Sequence, residues 1–352
     1  MRHPVTAALT RLLAAASIAI AFAALAAAPV GAQESSYHVV ATYPLGGDGG
    51  WDYLALDTVH NRLFIARSDR LMVVDPDKGT VLGEIPGFDR AHGIAFSYDR
   101  GHGFATSGAD STVTMFDLAT LKVLGHTVVD ADDDAILYDP ESTHIFTMNG
   151  DANTASVIDA ATGKRIGTIP LGGQPEFGVA DGAGKIYINL EDKGAIVEVD
   201  AKAMKVTRNW SIAPCESPTG LAIDVAHERL FSVCRNRIMA ISDASAGKVV
   251  TTVPIGSGVD AARFDPATGD AFASNGEGSL TVVHESGADE FQVVQTVPTM
   301  SGARTMELDL RSHRLYTVGA KFGAAPDHPT PANPRQRAPM VPGSFTLVVL
   351  GR

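Results

Sequence analysis

One unit recurs seven times along this 352-residue chain, and that repetition restricts its possible folds more than composition does. Each unit opens with a short apolar run that ends in, or just before, an Asp or Ser. The runs are Tyr53–Asp57, Gly93–Ser97, Ala135–Asp139, Phe177–Asp181, Gly220–Asp224, Ala261–Asp265 and Thr305–Asp309. Successive run ends lie about 40 to 44 residues apart, the length of a four-stranded propeller blade. A second run follows (Arg62–Ala66, His144–Met148, Lys185–Asn189, Arg314–Val318), then a third that mostly ends on an acid (Asp75, Asp117, Asp159, Asp200). A turn such as Asp77–Gly79 or Ala161–Gly163 leads to a fourth run such as Arg165–Ile169. Runs rich in β-branched and aromatic residues, separated by Gly, Asp and Pro, form strands and turns. Helical periodicity is almost absent. The expected fold is all-β: a seven-bladed propeller of four-stranded blades, with a β-sandwich pair or a β-helix as the alternatives. The seventh unit stops near Leu350 without a fourth strand, whereas Tyr37–Tyr43 is a spare strand at the other end. The N-terminal strand is therefore expected to complete blade seven and close the ring, covering two sheet edges that would otherwise be open.

Residues 1–32 have a different pattern. Arg2 and Arg11 precede an Ala-rich apolar run, Leu12–Ala28, and small residues end at Ala32. That order is a signal peptide's, with cleavage expected after Ala32, and the run is short for a membrane anchor. The propeller is then expected over 33–352, exported to the periplasm or secreted, with no transmembrane segment after cleavage. The formal charge of the whole chain is −12. Losing Arg2 and Arg11 makes the remainder still more acidic, which argues against sequence-independent nucleic-acid binding and in favour of cationic ligands or basic partners. In an oxidising compartment a lone pair such as Cys215 and Cys234 is a disulfide candidate. A regular hairpin would set Cys234 opposite Thr219, so a bridge requires the preceding loop to curl back.

The second-strand segments ending at Asn189 and Val318, and the pairing of Asp159–Lys164 with Ile166–Pro170, resemble the YncE-like, YVTN-repeat bacterial propellers. The resemblance spans the chain beyond residue 32 and implies the fold. For function it implies surface, periplasmic or binding roles. Related lactonase-type propellers use acidic, Asn, His or Arg residues in the channel, but no such set can be matched here residue by residue.

In a propeller the first strand of each blade lines the channel, and the residue just before it is expected at one mouth. Those positions are Asp52, His92, Asp134, Glu176, Thr219, Asp260 and Arg304. The loops between second and third strands carry Asp69, Asp110, Asp151, Asp192 and Glu277 on the same face, although Asp is also an ordinary turn residue. Converging carboxylates suit a hard divalent cation, and His92 would admit a softer one. Asp130–Glu141 imitates an EF-hand loop, but Ala135 stands where that loop needs Gly, which leaves only a looser metal contact through Asp132 or Asp134. A Pro-rich insertion over 320–343 interrupts blade seven; it is expected to lie over the mouth, with Arg335 and Arg337 facing the acids. Hydrolase, metalloprotease and phosphate-loop motifs are missing, so no catalytic set is assigned. The reading is a monomeric, non-enzymatic exported propeller that binds a small polar ligand, a metal ion or a protein partner at its acidic face. One alternative is a lactonase-like or metal-assisted hydrolase, with the mouth acids holding a metal and Arg304 stabilising an oxyanion. The other is a purely structural scaffold.

Overall fold

The apolar runs form twenty-eight strands in a computed structural model that describes residues 36–352 except 288, 326–327 and 329–337. The expected signal peptide and the lid candidates Arg335 and Arg337 lie outside the described residues. The strands make seven four-stranded sheets, each antiparallel and in sequence order for blades one to six. The first strands touch their neighbours in a closed circle, from Trp51–Asp57 through Ala91–Ser97, Asp133–Asp139, Pro175–Ala180, Pro218–Asp224 and Val259–Asp265 to Met306–Asp309 and back. The chain is a seven-bladed β-propeller. No helix among the described residues is long and apolar enough to cross a membrane.

Packing between blades holds the ring together. The third residue of each second strand is an aromatic buried between sheets: Phe64, Phe104, Phe146, Tyr187, Phe231, Phe272 and Tyr316. Burying such a ring contributes roughly 1.5–3 kcal/mol relative to exposure, so the seven together form the main inter-blade core. At the far end of the inner strands, Asp57, Asp139, Asp224, Asp265 and Asp309 are buried, and each accepts backbone N–H groups of its own turn. This is why the repeat ends on Asp: a short carboxylate satisfies the turn's donors locally.

The N-terminal strand, His38–Pro44, pairs with Thr346–Gly351 and supplies the fourth strand of blade seven, as expected. A second latch was not foreseen. Arg67 is fully buried, lies 3.7 Å from the Phe345 ring centre, and donates to the carbonyls of Gly46, Gly47, Asp48, Gly49 and Gly50. One guanidinium thus satisfies the turn joining the closing strand to blade one. Burial pulls its pKa down to about 10.

Cys215 and Cys234 form a disulfide with Cα atoms 5.6 Å apart. The expected register needs one correction: Cys234 pairs with Pro218, not Thr219, because the inner strand bulges between Pro218 and Leu221. The bulge takes up one residue and brings the preceding loop back over the second strand.

Candidate functional site

The same bulge recurs in six blades, and it builds the channel mouth. Register shifts fall at Trp51/Leu54, Ala91/Ile94, Asp133/Ile136, Pro175/Gly178, Pro218/Leu221 and Val259/Ala261. Asp52, His92, Asp134, Glu176, Thr219 and Asp260 each lie inside one of these bulges. They are part of the inner strands, not the residues before them, because the bulge extends the strand while re-aiming the side chain. Two residues upstream, Arg90, Asp132 and Ser217 adopt φ of 67°, 61° and 47°, and Gly258 and Gly302 hold the equivalent positions. Left-handed backbone at non-glycine residues is costly and clusters at functional sites.

A bulge leaves carbonyls unpaired within its own sheet, and the neighbouring blade satisfies them. Thr106 Oγ1 donates to Asp134 O (2.6 Å), Asn189 Nδ2 to Thr219 O (2.8 Å), Thr305 Oγ1 to Asp52 O (2.9 Å) and Ser274 Oγ to Arg304 O. Close approach is needed as well. A Cβ on Gly93 would lie 2.7 Å from Asp134 O, and one on Gly220 would lie 2.6 Å from Ala262 N.

Asp52, His92, Asp134, Asp260 and Arg304 form one chain of contacts around the mouth, which Glu176 does not join. His92 Nδ1 bonds Asp52 Oδ2 and lies 3.2 Å from Asp134 Oδ1. In the neutral imidazole His92 Nε2 accepts from Arg90 Nε (2.8 Å), while Arg90 Nη2 reaches Asp132 Oδ1 (2.5 Å). Arg304 Nε donates to Asp260 Oδ2 (2.6 Å), and its Nη2 lies 3.5 Å from Asp52 Oδ1. Burial pushes the Glu176 carboxyl up to about 9, reinforced by the charges of Asp134 and Asp260. It pushes Asp134 up to about 7, reinforced by Asp52, and Asp260 up to about 6 against the pull of Arg304. Burial opposes the charge of His92, but the Asp52 hydrogen bond and the Asp134 and Asp52 charges outweigh it and raise the imidazole pKa. Ligand atoms of Asp52, His92 and Asp134 all lie within 4.8 Å of one another.

Not every expected residue joins this cluster. Thr219 is fully buried and bonds carbonyls of Val233 and Val259. The EF-hand-like run splays apart: Asp130 bonds Arg165, Asp132 pairs with Arg90, and Glu141 pairs with Lys202. Of that run, Asp134 enters the channel cluster directly and Asp132 touches it only through Arg90. Most of the loop acids serve their loops. Asp69 pairs with Arg70, Asp110 accepts from Thr112, Asp192 from the Gln174 amide and Glu277 from the Ser257 amide, while Asp151 is exposed. At the base of the insertion, Phe322 packs on Trp51, the neighbour of Asp52, with ring centres 6.1 Å apart.

The other end of the channel has a different chemistry, which the sequence reading missed. Tyr53 and Phe177 come from blades three steps apart, yet their ring centres are 5.2 Å apart, so they meet across the axis. Arg263 lies over Phe177 at 5.6 Å and pairs with Glu307. Beyond this diaphragm is a cavity of about 710 Å³ with Leu54, Ile94, Phe96, Ile136, Leu137 and Tyr138 among its walls. Such a volume lies in the usual range for small-molecule pockets. The signal was present as large aromatics directly after the bulge positions of blades one and four, where blades two, three, five and six carry Gly93, Ala135, Gly220 and Ala261.

No family model and no curated protein sequence matches the chain. Solved structures do. A hydrazine synthase from Kuenenia stuttgartiensis is similar at 14% identity and a TM-score of 0.68, covering 85% of this chain and 96% of that one. U3-55K is similar at 10% identity and a TM-score of 0.73, covering 89% and 99%. The WD40 repeats of RRP9 are similar at 11% identity and 0.72, covering 90% and 98%. These likenesses establish the propeller fold.

Proposed function

We propose that this chain is an exported, YVTN-type binding propeller whose channel mouth takes a cation, with a divalent metal ion held by Asp52, His92 and Asp134. The convergence of these three side chains from consecutive blades carries the proposal, since Asp134 Oδ1 is buried and accepts no hydrogen bond. A metal would take the place of the Nδ1 proton that His92 holds against Asp52. Its binding through Nδ1 would move the imidazole proton to Nε2, so the exposed Arg90 side chain would have to turn away. Export rests on the Arg2, Arg11 and Leu12–Ala28 pattern and agrees with a disulfide at Cys215–Cys234. An intact mass of the exported protein that does not begin at Gln33 would count against cleavage after Ala32.

The first experiment is metal analysis and thermal unfolding of the purified protein with chelator, then with Ca²⁺, Mg²⁺, Mn²⁺ or Zn²⁺. A metal-linked rise in Tm is expected; Asp134→Asn should lower the metal content by one ion per chain and shrink the rise, whereas Asp260→Asn should leave both unchanged. No bound metal and no shift would reject the cation site. A metal with open coordination positions would justify screening the hydrolase alternative with lactones and esters. A second binding reading, a small apolar ligand in the chamber beyond Tyr53 and Phe177, is favoured by the 710 Å³ cavity and is tested by displacement of a fluorescent apolar dye.

A further inference from the structure

A second cluster of metal-ligand type lies far from the mouth, where blade five meets blade six. Asp224 ends the inner strand of blade five, His227 sits in the following turn, and Glu285 belongs to the third strand of blade six. Their ligand atoms all lie within 4.8 Å of one another.

Comparison with the other blades shows how unusual Glu285 is. Its backbone N–H donates to Gly269 O, and the same bond is made by Leu118 to Gly101, Ala160 to Thr143, Ala201 to Gly184 and Ala244 to Glu228. Four blades therefore bury Leu or Ala at this position, whereas blade six carries a glutamate there. The Glu285 side chain is only 5% exposed, and among the described residues no N–H donates to either of its oxygens; burial, with the Asp224 carboxyl beside it, raises its pKa. His227 Nδ1 lies 3.2 Å from Glu285 Oε1, but that nitrogen is already bonded to Asp224 Oδ2 at 2.6 Å. One ring N–H serves one carboxylate and leaves the other without a donor. An unpaired buried carboxylate is among the costlier features a core can hold.

Blade one shows how the same motif is neutralised elsewhere. There His60 Nδ1 bonds Asp57 Oδ2 at 2.8 Å, and Arg62 pairs with the same oxygen at 2.8 Å. The equivalent arginine of blade five, Arg229, is instead drawn to Asp289 at 2.7 Å and lies 3.5 Å from Asp243. Two buried carboxylates therefore face a single imidazole with no direct cation partner. His227 is largely exposed, so Nε2 can carry its proton in water while Nδ1 turns to a metal. His92 lacks this freedom because Arg90 donates to its Nε2.

We propose that Asp224, His227 and Glu285 form a binding site for a divalent first-row transition ion of the Zn²⁺ type, pinning blade five to blade six. One imidazole and two carboxylates are typical zinc ligands, whereas Ca²⁺ and Mg²⁺ prefer oxygen alone. A tetrahedral ion with bonds near 2.0 Å needs ligand atoms about 3.3 Å apart, so the present separations require only small side-chain movements.

The test uses the full chain carrying Asp134→Asn, so that the mouth does not contribute. The protein is stripped with chelator and titrated with Zn²⁺ by calorimetry and by thermal unfolding. One Zn²⁺ per chain is expected, with a rise in Tm. His227→Ala, a change at an exposed turn that should not disturb folding, is expected to weaken binding at least tenfold. Glu285→Leu restores the apolar residue of the other blades; it should abolish binding and unfold at a higher temperature than its parent in chelator. Absence of Zn²⁺ binding in the parent, or binding unchanged by both substitutions, would overturn the proposal. A stabilising Glu285→Leu without any metal effect would also overturn it, since Glu285 would then simply be a protonated buried acid.

Discussion

The two ends of the channel are built on the same seven strands and differ in almost every physical respect. At the mouth the backbone bulges, left-handed residues turn the chain inward, and carboxylates share one imidazole and one guanidinium. Beyond Tyr53 and Phe177 the strands regain regular pairing, and the walls become mainly aliphatic and aromatic, with Asp99 and the Arg263–Glu307 pair as charged exceptions. The boundary is one residue thick: Tyr53 follows Asp52. Burial, together with the charges of Asp134, Asp260, Glu176 and Asp52, raises the phenol's pKa well above its usual value. The contrast teaches that a β-bulge changes more than strand register. It redirects one side chain in each of six blades, and five of these plus Arg304 make a polar rim on a mostly apolar tube.

Removing the boundary is the most drastic way to break this contrast. Tyr53→Ala deletes a buried aromatic and should cost about 3–5 kcal/mol, read as a lower denaturant midpoint. It should also admit water beneath the mouth and bring the pKa values of Asp134 and Glu176 down, which carboxyl NMR titration would register. Unchanged titrations would mean that the diaphragm does not separate the two environments.

A pH series sharpens the contrast from the mouth side. An acid whose folded pKa exceeds its unfolded value costs nothing when both states are protonated. The cost grows as pH rises from the unfolded pKa towards the folded one. For Glu176 that window runs from about 4 to about 9. The raised His92 pKa acts in the same direction, because its stabilising charge is lost as pH rises through the folded value. Tm should therefore fall between pH 5 and pH 9, and Glu176→Gln should recover several degrees at pH 9 while changing little at pH 5. A wild-type Tm that rises across this range would contradict the sign.

Arg304→Met should have the smallest effect. It leaves Asp260 and Asp52 without their shared cation, but the guanidinium is 39% exposed, so about 1–2 kcal/mol is expected, below the cost of breaking a fully buried pair. The Asp260 carboxyl should then titrate above its present value of about 6. An effect on the apolar chamber, seen as altered dye binding, would show that the two ends are coupled.

Much of this molecule could be read from the chain alone. The period of the apolar runs, their β-branched residues and the spare strand before Trp51 determined seven blades and their closure, because strand pattern and edge pairing are local and repetitive. The ring of Asp52, His92, Asp134, Glu176, Asp260 and Arg304 was legible for the same reason: equivalent positions in a repeat share a face. Only tertiary structure decided which of them meet. Thr219 turned into the sheet, Asp132 went to Arg90, and Cys234 shifted to Pro218, since bulges and neighbouring blades settle those outcomes. Arg67 under the glycine loop, Tyr53 against Phe177, and Glu285 facing Asp224 all join residues far apart in sequence. Such contacts depend on the ring closing, and no single repeat carries the information that specifies them.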